Sequence, residues 1–471
     1  MQRSIARLCL ACVMIFLGAC GAEENESITG NPGTVDAVGS ADVAPDGAAT
    51  QLESPTYYRD IKPLLDTMCV RCHSEGGVRA SVPLDTEEDA TVWADAIRDQ
   101  VVSRKMPPWK ATDGCREYAH DESLTEEEIQ KISAWVEGGS LPGAASDTPV
   151  EARPVDFASL SRVDVTVEMP VEYTPKIIPD DYRCFLLPWT AETKTYITGF
   201  GALPGNPEVV HHVIAYLIEP QASDEFIAWE EAEEEPGYTC FGGPSGPGGG
   251  VGLSSGVRFL GGWAPGGVGS DFPPGTGMPV EPGSYVALQV HYNTFSNQPQ
   301  PDLTKVVFKT DDSVEHEAMV QPWTNPQWLM GKGMKIPAGE ELVEHTWGAD
   351  PFSLPIKLFG DATGLRIYSA AIHMHNLGIG GRSYIERSDG TEECLLNVND
   401  YDFGWQRTYS FVQPTEIRKG DKLKIHCKWD NSPANQPVKD GKKVEPVDQR
   451  WGEGTTDEMC VGFFYVVPIV D

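Results

Sequence analysis

Basic side chains are scarce in this chain. Lys and Arg make up 36 of its 471 residues against 70 Asp and Glu, leaving a formal net charge of −34. A surface so acidic repels phosphate backbones and anionic headgroups, which excludes nucleic acid as a natural partner and electrostatic adhesion to membranes. No internal repeat of fixed period is present, which excludes a repeat array. The apolar run Leu8–Leu17 is too short to span a bilayer. What is abundant is glycine and proline, 48 and 37 residues, in turn-like clusters that suggest many short strands joined by tight turns. With 40% hydrophobic residues, the length suffices for two or three cores.

Arg3 and Arg7 precede the apolar run, and Leu17-Gly18-Ala19-Cys20 follows it, resembling a bacterial lipobox. The expectation is a lipoprotein signal peptide over 1–20 whose Cys20 is acylated; a plain signal peptide with a chance cysteine is the alternative. Both place the protein outside the cytoplasm, where disulfides persist, and the lipoprotein would sit at the periplasmic face, outer membrane or cell surface, touching membrane only through its lipid. Residues 21–55 are small, polar and acidic, and read as a disordered tether.

From 56 to 142 the pattern is helical. Trp93, Ala96, Ile97 and Val101 recur at helix spacing, and a further helix is bounded by a Thr125/Glu128 capping box, a Leu124/Ile129 staple and Gly138 as C′ glycine. This segment carries Cys69-Val70-Arg71-Cys72-His73, the CxxCH signature of covalent c-type haem: two thiols add to the vinyl groups and the histidine ligates iron. A CxxC can also be a redox pair or half of a zinc site, but there is no second CxxC. Met106, in Lys105-Met106-Pro107-Pro108-Trp109, is the candidate sixth ligand, with His120 as its competitor. The segment resembles the small class I cytochromes c.

Beyond 150 the runs become short and β-rich: Tyr196–Gly199, Val209–Ile218, Tyr285–Tyr292, Ile367–His375 and Leu423–Trp429. The length exceeds one sandwich, so two are expected, 150–310 and 311–471, with a boundary in the stretch 302–316. The acidic run Glu230–Glu235 reads as a solvated loop. The expected fold class is therefore multidomain, a small all-α cytochrome c-like domain followed by two antiparallel, jelly-roll-like β-sandwich domains.

Five of the ten histidines fall in three motifs: His211-His212, His291 in Gln289-Val290-His291-Tyr292, and His373-Met374-His375. A fourth motif, Asp457-Glu458-Met459-Cys460, adds a thioether. Singly, each histidine also reads as a hydrogen-bonded core residue. His373 and His375, at i and i+2 of a strand, share a face, which leaves Met374 for the core. His211 and His212 would face opposite sides of a regular strand, so one metal takes both only with a bulge or twist, or through different ring nitrogens. Imidazole with thioether favours copper.

In order, type and surroundings this set resembles the copper type II, ascorbate-dependent monooxygenases, the family of dopamine β-monooxygenase and the peptidylglycine hydroxylating enzyme. The resemblance extends through Tyr401-Asp402-Phe403-Gly404-Trp405-Gln406 and Gly420-Asp421, and covers about 155–468. It implies an electron-transferring copper on His211, His212 and His291, and an O₂-activating copper on His373, His375 and Met459, which carry the catalysis. It also implies Cys427–Cys460 and Cys184–Cys240 disulfides, leaving Cys115 and Cys394 without an assigned partner. Peptide-amidating members carry an arginine two residues before the HxH pair and polar residues after the ligand methionine; here stand Ala371, Val461 and Phe463. The expectation is a monooxygenase using two coppers and one covalent haem c to hydroxylate a C–H bond of a small apolar or aromatic substrate with O₂. Electrons would come from an external reductant or redox protein, or through the fused haem. The rival reading is a non-catalytic copper-binding, electron-transfer lipoprotein.

Overall fold

The structure is a computed structural model that describes residues 54–470 apart from 78, 241, 247–255, 265–266, 268, 295–297, 355–357, 440–441, 453 and 455. The expected signal peptide, Cys20 and the tether up to 53 lie outside the described residues.

The chain enters through four short helices, α1 (Lys62–Met68), α2 (Glu87–Val92), α3 (Ala94–Val102) and α4 (Glu126–Glu137). Tyr57, Leu65, Ile97, Val101, Ile132 and Trp135 form their shared core. The Thr125/Glu128 capping box is present in both directions. Gly138 is the C-cap with φ −75°, and Gly139, at φ +86°, takes the left-handed position expected of Gly138.

The rest is mostly strand. A five-stranded sheet runs β5 (Tyr238–Thr239), β2 (Asp180–Pro188), β9 (Tyr285–Asn293), β4 (Val210–Ile218), β6 (Val257–Trp263). It shares one core with a six-stranded sheet of β1 (Val165–Glu168), β10 (Lys305–Asp311), β3 (Thr195–Leu203), β8 (Thr276–Val280) and β11 (His316–Glu317), with β7 (Ser270–Asp271) on β3. β2 is buried along almost its whole length because both faces are covered. Phe185 and Leu187 enter the inter-sheet core, whereas Cys184 and Leu186 meet Phe226 of helix α5 (Ser223–Glu231). Glu230 and Glu233, expected in a solvated loop, instead serve structure: Glu230 accepts the Leu186 N–H at 3.1 Å and Glu233 pairs with buried Arg183.

Two four-stranded sheets follow, β12 (Met319–Trp323), β23 (Val461–Ile469), β15 (Gly364–His373), β18 (Tyr409–Arg418) and β14 (Val343–Ala349), β19 (Lys422–Trp429), β16 (Gly378–Glu386), β17 (Glu392–Val398). Two ribbons complete the set, β13 (Lys335–Ile336) with β22 (Gln449–Arg450) and β20 (Val438–Lys439) with β21 (Lys442–Lys443). Strand alternation gives β23 two roles: Phe464 and Val466 enter the core of these sheets, and Tyr465 and Val467 enter the core of the first pair.

The expected fold class is thus corrected. The described residues are mostly β with few helices, and no all-α cytochrome c-like domain is evident among them. The described residues from 54 to 470 form one compact unit. The segment after α3 leaves the helices altogether: Ala111 bridges Val398, Tyr118 bridges Phe411, and Cys115 is bonded to Cys394. One strand, β23, contributes to both β cores. Local periodicity reports helices correctly but carries no trace of pairings made nearly three hundred residues away.

Candidate metal centre

Strands β4 and β9 are neighbours, and their register sets His212 opposite His291. That register shifts between Val210 and His212, a bulge with His211 as the extra residue. The bulge is what lets both adjacent histidines turn to one point. The His212 Nδ1 lies 3.4 Å from His211 Nδ1 and 3.3 Å from His291 Nδ1. A metal about 2.0 Å from two imidazole nitrogens at a tetrahedral angle separates them by about 3.3 Å, so this spacing fits a shared ion. The donors are the same nitrogen on each ring. His291 is oriented from behind: its Nε2–H donates to Asp180 Oδ1 at 2.9 Å, which also accepts from Asn293 at 2.8 Å, and its ring stacks on Tyr182 at 4.0 Å.

His373 ends β15 and His375 follows it, with ring centroids 5.0 Å apart. Met374 between them is fully buried in the core, as the alternation requires. Gln406 Oε1 accepts from His373 Nδ1 at 2.6 Å, and the Asp457 carbonyl accepts from His375 Nδ1 at 3.1 Å. Each contact fixes the tautomer and leaves Nε2 as the free donor atom. The register pairs His373 with Val461, which brings Met459, two residues earlier, to the same end of the sheet. Cys460 is bonded to Cys427 of β19 and anchors that position, and Cys184 is bonded to Cys240, both as the resemblance implies. Glu458 is buried and accepts N–H groups from His375, Leu377 and the Trp429 indole at 3.0, 2.7 and 2.8 Å. Burial pushes its carboxyl up to about 7, against the lowering pull of those donors.

His211, His212, His373 and His375 are held neutral, the form that binds metal. Burial is the first cause in each: it takes His211 down to about 4, helped by His291, and puts His212 and His375 well below the usual range, with His373 lowered too. One ring joins the two histidine sets. Phe403 stacks on His211 at 5.0 Å and meets His375 edge-on at 5.7 Å.

Cys69 and Cys72 are not bonded to each other, although six other cysteines are paired. Burial raises both thiols, Cys69 to about 12. His73 Nδ1–H donates to the Val82 carbonyl at 2.8 Å, leaving Nε2 free for an axial bond. Arg71 has a buried Nη1 without a hydrogen-bond partner, 3.6 Å from Glu122. These residues and Met106 line a cavity of about 1400 Å³ whose other walls include His212, His373, His375 and Met459. His120 lines it as well, with Nδ1 turned to the Asp156 carbonyl at 3.0 Å. Ala371, Val461 and Phe463 face the same space, and Phe463 packs on Phe259 at 5.1 Å.

Sequence reasoning missed Asp180, Tyr182 and the role of Glu458. Only Glu458 carried a signal, its place beside Met459.

Residues 168–299 match the N-terminal domain, and residues 329–471 the C-terminal domain, of the copper type II ascorbate-dependent monooxygenases. The chain is 24% identical over 416 residues to mouse "DBH-like monooxygenase protein 2", covering 82% of this chain and 60% of that protein. It is 21% identical over 216 residues to Drosophila melanogaster "MOXD1 homolog 1", covering 44% and 28%. Among solved structures, the major capsid protein P2 of bacteriophage PM2 aligns at 10% identity over 62% of this chain and 98% of its own, with a TM-score of 0.22, too low to define a fold.

Proposed function

Since this chain belongs to the copper type II ascorbate-dependent monooxygenases, whose two domain models together span more than half of it, we propose that it hydroxylates a C–H bond of a small apolar or aromatic substrate with O₂. The observation that carries this reading is the cluster of His211, His212 and His291 whose middle member, His212, lines one cavity together with His373, His375 and Met459. His211, His212 and His291 would hold one copper, and His373, His375 and Met459 the other. Copper in these positions supplies one-electron storage and, at the thioether-containing set, activation of O₂.

The chain's own residues supply orientation and an apolar wall. Asp180 holds the His291 ring, Gln406 and the Asp457 carbonyl fix the tautomers of His373 and His375, and Glu458 holds the backbone beneath His375. Ala371, Val461 and Phe463 offer a substrate carbon skeleton an apolar wall and no charged partner for a peptide carboxylate. The reading includes one haem c, attached at Cys69 and Cys72 with His73 and Met106 as axial ligands. Support comes from the unpaired thiols, the oriented His73, the spare Arg71 donor and the enclosing cavity. Electrons would enter from an ascorbate-like reductant or a redox protein, on an exported protein anchored through Cys20.

The test is anaerobic reduction, then ¹⁸O₂ with a panel of aromatic and aliphatic amines and alcohols, with products read by mass spectrometry. One labelled oxygen per product is expected. Metal analysis should find two coppers per chain, one of them lost in His291→Ala, while Met459→Leu keeps the three-histidine copper and abolishes turnover. Zinc in place of copper, or no O₂-dependent product, would reject the proposal.

A further inference from the structure

Three consecutive residues, Trp405, Gln406 and Arg407, have alternating partners. Gln406 reaches inward to His373 Nδ1 at 2.6 Å. Its two neighbours contact the segment that bears the CxxCH motif: the Arg79 guanidinium lies over the Trp405 ring at 5.7 Å, and Arg407 pairs with Glu122 at 3.2 Å. Glu122 in turn lies 3.6 Å from Arg71, inside the motif. The Arg79 backbone N–H donates to the Cys72 carbonyl at 2.9 Å. A short chain of contacts therefore leads from Cys72 through Arg79, Trp405 and Gln406 to His373.

The contact is held from several sides. Cys115 is bonded to Cys394, Lys110 pairs with Asp400 at 2.7 Å, and Arg407 lies over the Trp109 ring at 4.8 Å. By contrast, His291 is held by Asp180 and Tyr182, and His211 stacks on Phe403, all within the β region. The set ending in Met459 is tied to the CxxCH segment by a hydrogen bond to the residue beside Trp405, whereas the three-histidine set meets the same loop through the Phe403 stack on His211.

We propose that Trp405, positioned by Arg79, is the contact through which a haem on Cys69 and Cys72 passes electrons directly to the His373–His375–Met459 set, without passing through the three-histidine set. This rests on the haem and copper assignments proposed above. The step moves one electron, ferrous haem becoming ferric as cupric ion becomes cuprous, with no bond made and no proton transferred. A one-electron donor outside the chain restores the ferrous haem.

The experiment uses the full chain with haem and copper contents measured beforehand, kept anaerobic and oxidised. A photoreductant injects one electron, and the reduced haem band is followed as it decays, with loss of the cupric EPR signal as the second readout. Decay independent of protein concentration is expected. Trp405→Leu should slow it severalfold with haem spectrum and copper content unchanged, Arg79→Gln should slow it less, and Trp405→Phe, which keeps a ring, should restore most of the rate. His212→Ala, lacking the three-histidine copper, should decay as the unmodified chain does. Unchanged decay in Trp405→Leu, or its loss in His212→Ala, overturns the proposal while leaving the cofactor assignments intact. A purified chain without covalent haem overturns both.

Discussion

The Glu458 carboxylate accepts the backbone N–H of His375 at 3.0 Å and also those of Leu377 and the Trp429 indole, so one buried side chain ties the residue beside Met459 to the turn after His375. Glutamine in its place keeps one acceptor oxygen and turns an NH₂ toward a donor. Glu458→Gln should therefore cost about 1–3 kcal/mol, the penalty for an unsatisfied buried donor. Urea unfolding of the metal-free protein measures this. Copper analysis should show selective loss at the His373–His375–Met459 set, and equal loss at both sets would contradict the assignment.

Asp180 plays the corresponding part for His291. Removing its carboxylate frees the ring to rotate about the strand, and partners of this kind typically alter metal affinity by about 10–100-fold. Asp180→Ala is expected to weaken copper at the three-histidine set by that order in a competitive chelator titration. Affinity at the other set should hold.

How much of this was legible beforehand depends on sequence distance. CxxCH and HxH are legible because their spacing is itself the geometry: His373 and His375 share a face, and Met374 goes to the core. The bulge at His211 was legible only as a requirement, since pairing with β9 creates it. Asp180 and Tyr182 left no signal, being ordinary residues on a strand more than a hundred positions from His291. The expected all-α domain failed for the same reason, because Ala111 and Tyr118 make isolated bridges to residues nearly three hundred positions away, which local periodicity does not see.

Four histidines held neutral, His375 buried and His211, His212 and His373 partly buried, should make the metal-free protein acid-sensitive. In the unfolded chain they take up protons near the usual 6.5, whereas His211 resists until about 4. The unfolded state then binds more protons than the native state across that window, so stability falls as pH drops through it. Urea midpoints of the metal-free protein should decline from pH 7 to 4.5, and His212→Asn should flatten the decline. A variant slope equal to that of the unmodified chain would show that other groups dominate.

The Cys115–Cys394 bond closes the longest covalent loop among the described residues, with a sequence separation of 279. It fastens the segment between α3 and α4 to the β17 edge, beside the Ala111–Val398 and Tyr118–Phe411 bridges. Neither cysteine lies in the metal-binding motifs, so their joint replacement separates docking from ligation. Loss of a native disulfide typically costs about 2–5 kcal/mol. The Cys115→Ser, Cys394→Ser double variant should accordingly unfold at lower denaturant and be cut by protease first within 103–123, where the loosened segment keeps only non-covalent contacts such as the Lys110–Asp400 ion pair and Tyr118 packing. Copper content should remain that of the unmodified chain, because His211, His212, His291, His373, His375 and Met459 are positioned by strands and by the other two disulfides. Copper lost in step with protease sensitivity would mean that the N-terminal segment is needed to build the metal sites as well as to reach them.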